Sequence, residues 1–445
     1  MASAEPAGLA GPGLRYRLLE TIRQFAADQV AQASRDEAPG RDESVLAAAH
    51  CAHYLAAAET AAAHLTGPDL ARWVARLDAD HANLRRAARY AAGDPDQTAH
   101  VLRFGAALRR YWLARYRYEE AFALLMPVLE RPAARADPAL FGAALVTATY
   151  AACPVDIATA RRLGEQAVTL ARQLGTERLL IESLTVLGHV YCFAGELERG
   201  LPPVQEAVQR ARQLGDDVLL GESLTMRMTF LTSPADAKPL FNEAIACTQR
   251  SGDELYAYYL NSYAGGQALY AGDIRAARAH LGQAAQFIRA IRDEDLNLLY
   301  LTGWVLRRDN DQDGARSSFR AILRIDRRIG NRAGIAAASL ALACLAADAG
   351  DWHQAAMLHG AAQAILPTGI QWDELEDRSR RDSLDQIRCQ LGQEQFERAY
   401  AAGSALSSDQ ALDLASGTAL VPGGAHHGPF GINMGSSGCG PVCIK

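Results

Sequence analysis

An all-α fold built from stacked helical hairpins is what this chain of 445 residues predicts, on three observations. A short pattern returns at Tyr116, Val155, Gly195, Ser233, Gly272, Asn310 and Gly350, at intervals of 38 to 40 residues. Five positions after these stand Ala121, Ala160, Gly200, Lys238, Ala277, Ala315 and Ala355, six of them Gly or Ala, as close helix-on-helix contact selects. The stretch between Tyr116 and Leu366 gives no strand signal. One hairpin cannot hide its own apolar face, so a period near 39 residues means hairpins that stack on one another.

The sharpest copies are YAGDIRAARAHLGQAAQFI (Tyr270 to Ile288) and AGDWHQAAMLHGAAQAI (Ala349 to Ile365). In both, Ala-Gly ends one helix through a left-handed glycine and Asp caps the next. At helix spacings of about 8–10 Å such pairs make a TPR-like α-solenoid, a right-handed superhelix of about seven hairpins with a long concave surface. Surfaces of that kind bind other molecules and seldom do chemistry, so the expected activity is binding by a non-enzymatic scaffold.

In chain order, residues 1–13 are rich in Ala, Gly and Pro and read as flexible. The segment 14–115 begins with RYRLLETIRQFAADQVAQA (Arg15 to Ala33), where Leu19, Ile22, Phe25, Ala26 and Val30 follow helical spacing. An alanine-dominated helix, Val45 to Leu65, is stopped by Gly67-Pro68-Asp69, whose Asp caps a third helix. That helix carries Leu70, Trp73, Leu77 and Leu84 on one stripe, with Arg72, Arg76, Arg85 and Arg86 outside. The repeats fill 116–366. Closing helices occupy 367–415: a strongly charged one at Gln371 to Gln390, another from Gln393 to Ala402 ended by Gly403, and a last short one at Asp409 to Leu414. Ser407 to Gln410 forms its capping box.

Four blocks carry a resemblance. RYRLLETIRQFA followed by GPDLARWVARLDADHANLRRAARYA, with LHGAAQAIL (Leu358 to Leu366) and LGQEQFERAYAAGSALSSDQALDLA (Leu391 to Ala415) at the far end, resembles actinobacterial STAND-type predicted ATPases and LuxR-type transcriptional regulators. The resemblance implies that the first block ends a winged-helix module and that the second opens a helical-repeat arm. No Gly-x4-Gly-Lys-[Ser/Thr] loop is present to cradle phosphates, and no helix-turn-helix follows Ala415. What the resemblance implies is therefore the sensing or scaffolding role of the arm, and not the ATPase or DNA-binding roles. A nucleotide-binding half encoded separately fits the same pattern.

Composition excludes several classes. A net charge of −6 offers no global basic field to nucleic acid or a membrane surface. Basic charge is almost all Arg, with Lys only at Lys238 and Lys445. No apolar run approaches the roughly 18 residues of a membrane span, and the N-terminus has no secretory signal. Cys51, Cys153, Cys192, Cys247, Cys344 and Cys389 sit singly on Ala/Leu-rich helices and read as buried free thiols of a cytoplasmic protein.

The tail, 416–445, is another material, with no Arg, Asp or Glu. Val421-Pro422-Gly423-Gly424 is similar to the double-glycine end of a peptide leader. Beyond it lie Ser436, Ser437, Cys439 and Cys443, the balance needed for two thioether rings as in lanthipeptide precursors. On that alternative the repeats are an oversized leader that docks peptide-modifying enzymes and 425–445 is the modified core. His426 and His427 with Cys439 and Cys443 have the donors of a tetrahedral metal site but no fold around them, and no metal or cofactor is expected. His50-Cys51-Ala52-His53 lacks a third ligand on one helical face. Asp309 to Asp313 is turn chemistry, without the closing glutamate of a calcium loop.

Tyr256, Tyr258, Tyr259, Tyr263 and Tyr270 cluster in one hairpin, with Tyr300 following. Packing and recognition compete for such rings. Tyr256, Tyr259, Tyr263 and Tyr270 are the candidates for binding a protein or peptide on the concave face.

Overall fold

In a computed structural model describing residues 43–231, 234–292, 294–367 and 371–416, the repeat period becomes turn geometry. Residue 116 has φ 51°, Gly195 73°, Gly272 81°, Asn310 61° and Gly350 80°, so five of the seven periodic positions take the left-handed turn. Val155 closes its turn differently, its N–H and that of Asp156 both donating to the Ala152 carbonyl. Ser233 lies outside the described residues. So do the RYRLLETIRQFA block and the tail with Gly423, Gly424, Ser436, Ser437, Cys439 and Cys443.

All regular structure among the described residues is helical, with no strand. Three helices come first: α1 (Glu43–Ala62), α2 (Leu70–Ala79) and α3 (His81–Gly93). Four hairpins follow as α4 (Thr98–Arg115) with α5 (Tyr118–Leu129), α6 (Pro138–Ala152) with α7 (Ile157–Leu174), α8 (Glu177–Phe193) with α9 (Leu197–Leu214), and α10 (Asp217–Met228) with α11 (Pro234–Ser251). Three more are α12 (Glu254–Tyr270) with α13 (Ile274–Ile288), α14 (Leu296–Arg308) with α15 (Gln312–Ile329), and α16 (Arg332–Asp348) with α17 (Trp352–Ile365). The closing helices are α18 (Glu374–Leu391), α19 (Gln393–Ser404) and α20 (Ser408–Ser416).

The described residues divide into two compact units, those from 43 to 257 with 287–292, and 258–286 with those from 294 to 416. Within each, a helix packs on its hairpin partner and on the helix two along: α4 on α6, α6 on α8 and α8 on α10 in the first, α14 on α16 and α16 on α18 in the second. Such a first helix, as α6, α8 and α16 show, is therefore covered on two sides. It needs apolar residues around most of its circumference, as in α16, where Ile335, Ala336 and every residue from Ala338 to Ala347 are buried. The second helices keep one stripe: α7 buries Ala160, Leu163, Gly164, Ala167 and Ala171.

The small residues sit where contact is closest. Ala121, Ala160, Ala277, Ala315 and Ala355 are each at most 1% exposed. Lys238 is exposed and Ala237 is buried in its place, so the fourth register begins one residue earlier than the spacing suggests. A second small-residue series runs seven positions before the turn. A Cβ on Gly188 would lie 2.0 Å from Val204, one on Gly265 2.6 Å from Leu281, and one on Gly303 2.7 Å from Phe319. The outer helix drops a large side chain onto the bare backbone of the inner one.

Asp273 and Asp351 cap as expected, accepting from the N–H groups of Ala276 and Gln354. Asn310 holds the left-handed turn without glycine's freedom. Asn310→Gly is expected to raise stability by about 0.5 kcal/mol and Asn310→Val to lower it by about 1–2 kcal/mol, read as shifts in thermal midpoint.

Several boundaries are corrected. The single third helix breaks at Asp80 into α2 and α3, although Leu70, Trp73, Leu77 and Leu84 are all buried. Asp69 makes no side-chain cap to α2. Gly403 lies inside α19 because its bare Cα faces the Met357 carbonyl, not because it ends the helix. The strongly charged α18 nonetheless buries Leu375, Glu376, Ser379, Ser383, Leu384 and Ile387. The capping box of α20 forms, Gln410 N–H to Ser407 Oγ and Ser407 N–H to Gln410 Oε1. Five of the six helical cysteines are buried; Cys389 is exposed, on the outer side of α18.

Candidate functional site

Consecutive arginines on α4 diverge by about 100° around the helix axis, and each finds a different partner in the first unit. Arg109 donates to Glu182 of α8 at 2.8 Å. Arg110 pairs with both Glu222 of α10 and Asp253, donates to the Leu65 carbonyl at 3.2 Å and lies 5.0 Å from the Tyr256 ring centroid. The three charged side chains of that knot are 6%, 6% and 2% exposed. Burial works against the charge on Arg110, and Asp253 and Glu222 outweigh it. Burial pushes the Glu222 carboxyl up, with the two arginines opposing. The curl of the first unit thus brings residues 110 and 253 together, and the inner row is bridged by the chain's own side chains.

The GPDLARWVARLDADHANL block is explained by the same unit. Asp78 accepts from the Tyr111 hydroxyl at 2.8 Å and pairs with Arg115 and Arg117. His81 lies 2.8 Å from Glu120, which also accepts from the Trp112 indole. Asp78 and His81 therefore clamp α2 and α3 onto the first hairpin. Sequence reading saw the Trp-Leu stripe and missed this polar clamp, for which only the periodic apolar residues gave a signal.

Each of the four candidate tyrosines is buried or half-buried. Tyr256, in the first unit, is buried beneath Arg110. In the second unit Tyr263 is buried, and Tyr259 is half-buried with its ring 5.0 Å from that of Tyr258. Tyr270 is half-buried and its hydroxyl donates to Asp373 at 2.9 Å. Tyr258 donates to Asp295 at 2.7 Å.

The exposed large apolar residues described in the first unit are Val45, Leu46, Tyr116, Val155, Leu174, Phe193 and Leu214. Tyr116, Val155 and Phe193 are 42%, 41% and 39% exposed, one face of the Tyr116 ring being covered by the Arg292 guanidinium 3.5 Å from its centroid. Each lies at or beside the turn joining the two helices of the first, second and third hairpins, so stacking sets them along one edge. Behind Phe193 the rings of His189 and Tyr150 follow, with centroids 6.3 Å and then 5.3 Å apart. Burial lowers His189 to about 4, which keeps it neutral at pH 7. Tyr116 and Val155 were legible as periodic turn positions and Phe193 was not, and only the structure shows that the three side chains face outward.

His50 is half-buried, Cys51 buried and His53 exposed, and among the described residues no group of three His, Cys, Asp or Glu side chains is placed to hold a metal. Asp309 pairs with Arg278, and Asp311 caps α15 through the Gly314 N–H, as turn residues do. Among the described residues no helix is long and apolar enough to cross a membrane.

These features define a helical-repeat protein whose polar clusters are joints between helices. No family model matches the chain. It is similar to proteins of Mycobacterium bovis and Mycobacterium tuberculosis, each named "Putative HTH-type transcriptional regulator", at 29% identity over 210 residues. The alignment covers 43% of this chain and 21% of each relative, so the chain matches about a fifth of their length.

Proposed function

We propose that the chain is a non-enzymatic scaffold that binds a protein or peptide, in the manner of the sensor arm of a STAND/LuxR-type regulator. The observation that carries this reading is the row Tyr116, Val155 and Phe193 along one turn edge. Large apolar side chains repeated at an accessible edge are what interaction surfaces use. The similarity to transcriptional regulators supports the regulatory setting. The buried Arg110 knot and the engaged tyrosines supply joints for this arm, and the turn edge supplies its contact surface.

A photo-crosslinking residue at Phe193 of the full chain, expressed in its native host, tests the reading. The expected result is one recurrent protein adduct that is lost when Tyr116 and Val155 are both changed to Asp and kept when Leu214, exposed at the other end of the hairpin, is changed to Asp. An adduct pattern indifferent to both changes overturns the reading.

A further inference from the structure

In the second unit, Tyr270 at the end of α12 and Tyr300 on α14 both reach the first turn of α18. Tyr270 Oη donates to Asp373 Oδ2 at 2.9 Å. Tyr300 Oη lies 3.0 Å from the same Asp373 oxygen and 2.9 Å from Glu376 Oε1. The two carboxylates are locked by a capping box, with Glu376 N–H on Asp373 Oδ1 at 2.7 Å and Asp373 N–H on Glu376 Oε2 at 3.0 Å. Tyr300 and Glu376 are each 7% exposed.

Counting protons decides what state this arrangement holds. Tyr300 has one hydroxyl hydrogen and two carboxylate oxygens within hydrogen-bond distance. It can donate to one of them only. The second contact sets two lone-pair-bearing oxygens face to face unless a carboxyl carries a proton. With Glu376 protonated, its O–H donates to Tyr300 Oη, Tyr300 donates to Asp373, and Tyr270 donates to Asp373 as well. Every short contact then has a hydrogen in it.

The surroundings give no other relief. The ionisable groups that reach Glu376 are Asp373 from its own turn and Tyr300 from α14, with Tyr270 of α12 on Asp373. Glu374 is exposed and pairs with Arg378. From α16 and α17, Cys344 and His359 engage α18 further along, at Ser379 and Ser383. Arg307 pairs with Asp348, and Arg380 with Asp377. Among the described residues no cation stands within ion-pair distance of Asp373 or Glu376. Burial first, and then the neighbouring Asp373 charge, push the Glu376 carboxyl up to about 7.

We propose that Tyr270, Tyr300, Asp373 and Glu376 form a proton-loaded clamp, which seats the N-terminus of α18 on α12 and α14 while the carboxylate pair keeps one proton and releases it when that proton is lost. The sign follows from linkage. The folded state holds the proton to higher pH than the unfolded chain does, so the clamp is fully closed below about pH 4.5, the ordinary glutamate range, and weakens as pH rises through about 7.

Hydrogen–deuterium exchange of the full chain between pH 5.5 and 8.5, corrected for intrinsic exchange rates, tests this. Protection of the peptide covering 373–380 is expected to fall at least tenfold relative to that of α7. Glu376→Gln, whose amide donates to Tyr300 at any pH, is expected to remove the fall. Asp373→Asn, an equally good helix cap, leaves one carboxylate for the single Tyr300 proton and is expected to remove it as well. A flat profile in the unsubstituted chain, or an undiminished fall in both variants, overturns the clamp.

Discussion

Arg110→Ala is expected to lower the stability of the first unit by about 3–5 kcal/mol, because breaking a buried ion pair leaves its partners charged and unpaired. Glu222 and Asp253 would then face each other in a space where each is at most 6% exposed, and the Leu65 carbonyl would lose its donor. Arg110→Lys keeps the charge but not the fork that serves two carboxylates and a carbonyl together, so it should recover only part of the loss. Arg110→Met combined with Glu222→Gln and Asp253→Asn removes all three charges at once. That triple variant should be far closer to the unsubstituted chain than Arg110→Ala is. Denaturant titration followed by exchange of α4, α8 and α10 reads each of these. A loss under 1 kcal/mol for Arg110→Ala would show that the knot is not the joint described above.

Gly403→Ala should strip α19 from the second unit, a loss of about 3 kcal/mol that exceeds most overpacking changes. An added Cβ would lie 1.9 Å from the Met357 carbonyl oxygen, and on the facing helix a Cβ on Gly360 would lie 2.1 Å from the Tyr400 carbonyl oxygen. Both obstacles are backbone and neither can rotate away. Gly282→Ala is the control: nothing lies within 4 Å of its Cβ, and it sits within α13. There alanine should gain about 0.5–1 kcal/mol from helix propensity. Limited proteolysis between 393 and 416 separates the outcomes: rapid cleavage in Gly403→Ala, none in Gly282→Ala.

The hairpin array was legible because its signals are local and repeated. The turn residues at 116, 195, 272, 310 and 350 recur in sequence, and each needs its own left-handed backbone whatever surrounds it. The small residues five positions on are readable for the same reason. Long-range partners were not legible. Nothing near Arg110 in the chain announces Glu222 or Asp253, more than a hundred residues away. The tyrosines show the limit most clearly. Their clustering between Tyr256 and Tyr270 resembles a recognition surface, but Arg110 and Asp373, which engage two of them, come from distant segments. Gly403 misled in the opposite way: a glycine near a helix end usually stops it, and here a backbone crossing demanded it.

Because α16 is apolar around nearly its whole girth, the array cannot be trimmed at an arbitrary hairpin. A fragment stopping after α17 would bare the flank that α18 covers, and one starting at α4 would bare the surface that α1, α2 and α3 occupy. The helices outside the seven hairpins therefore act as end-plates.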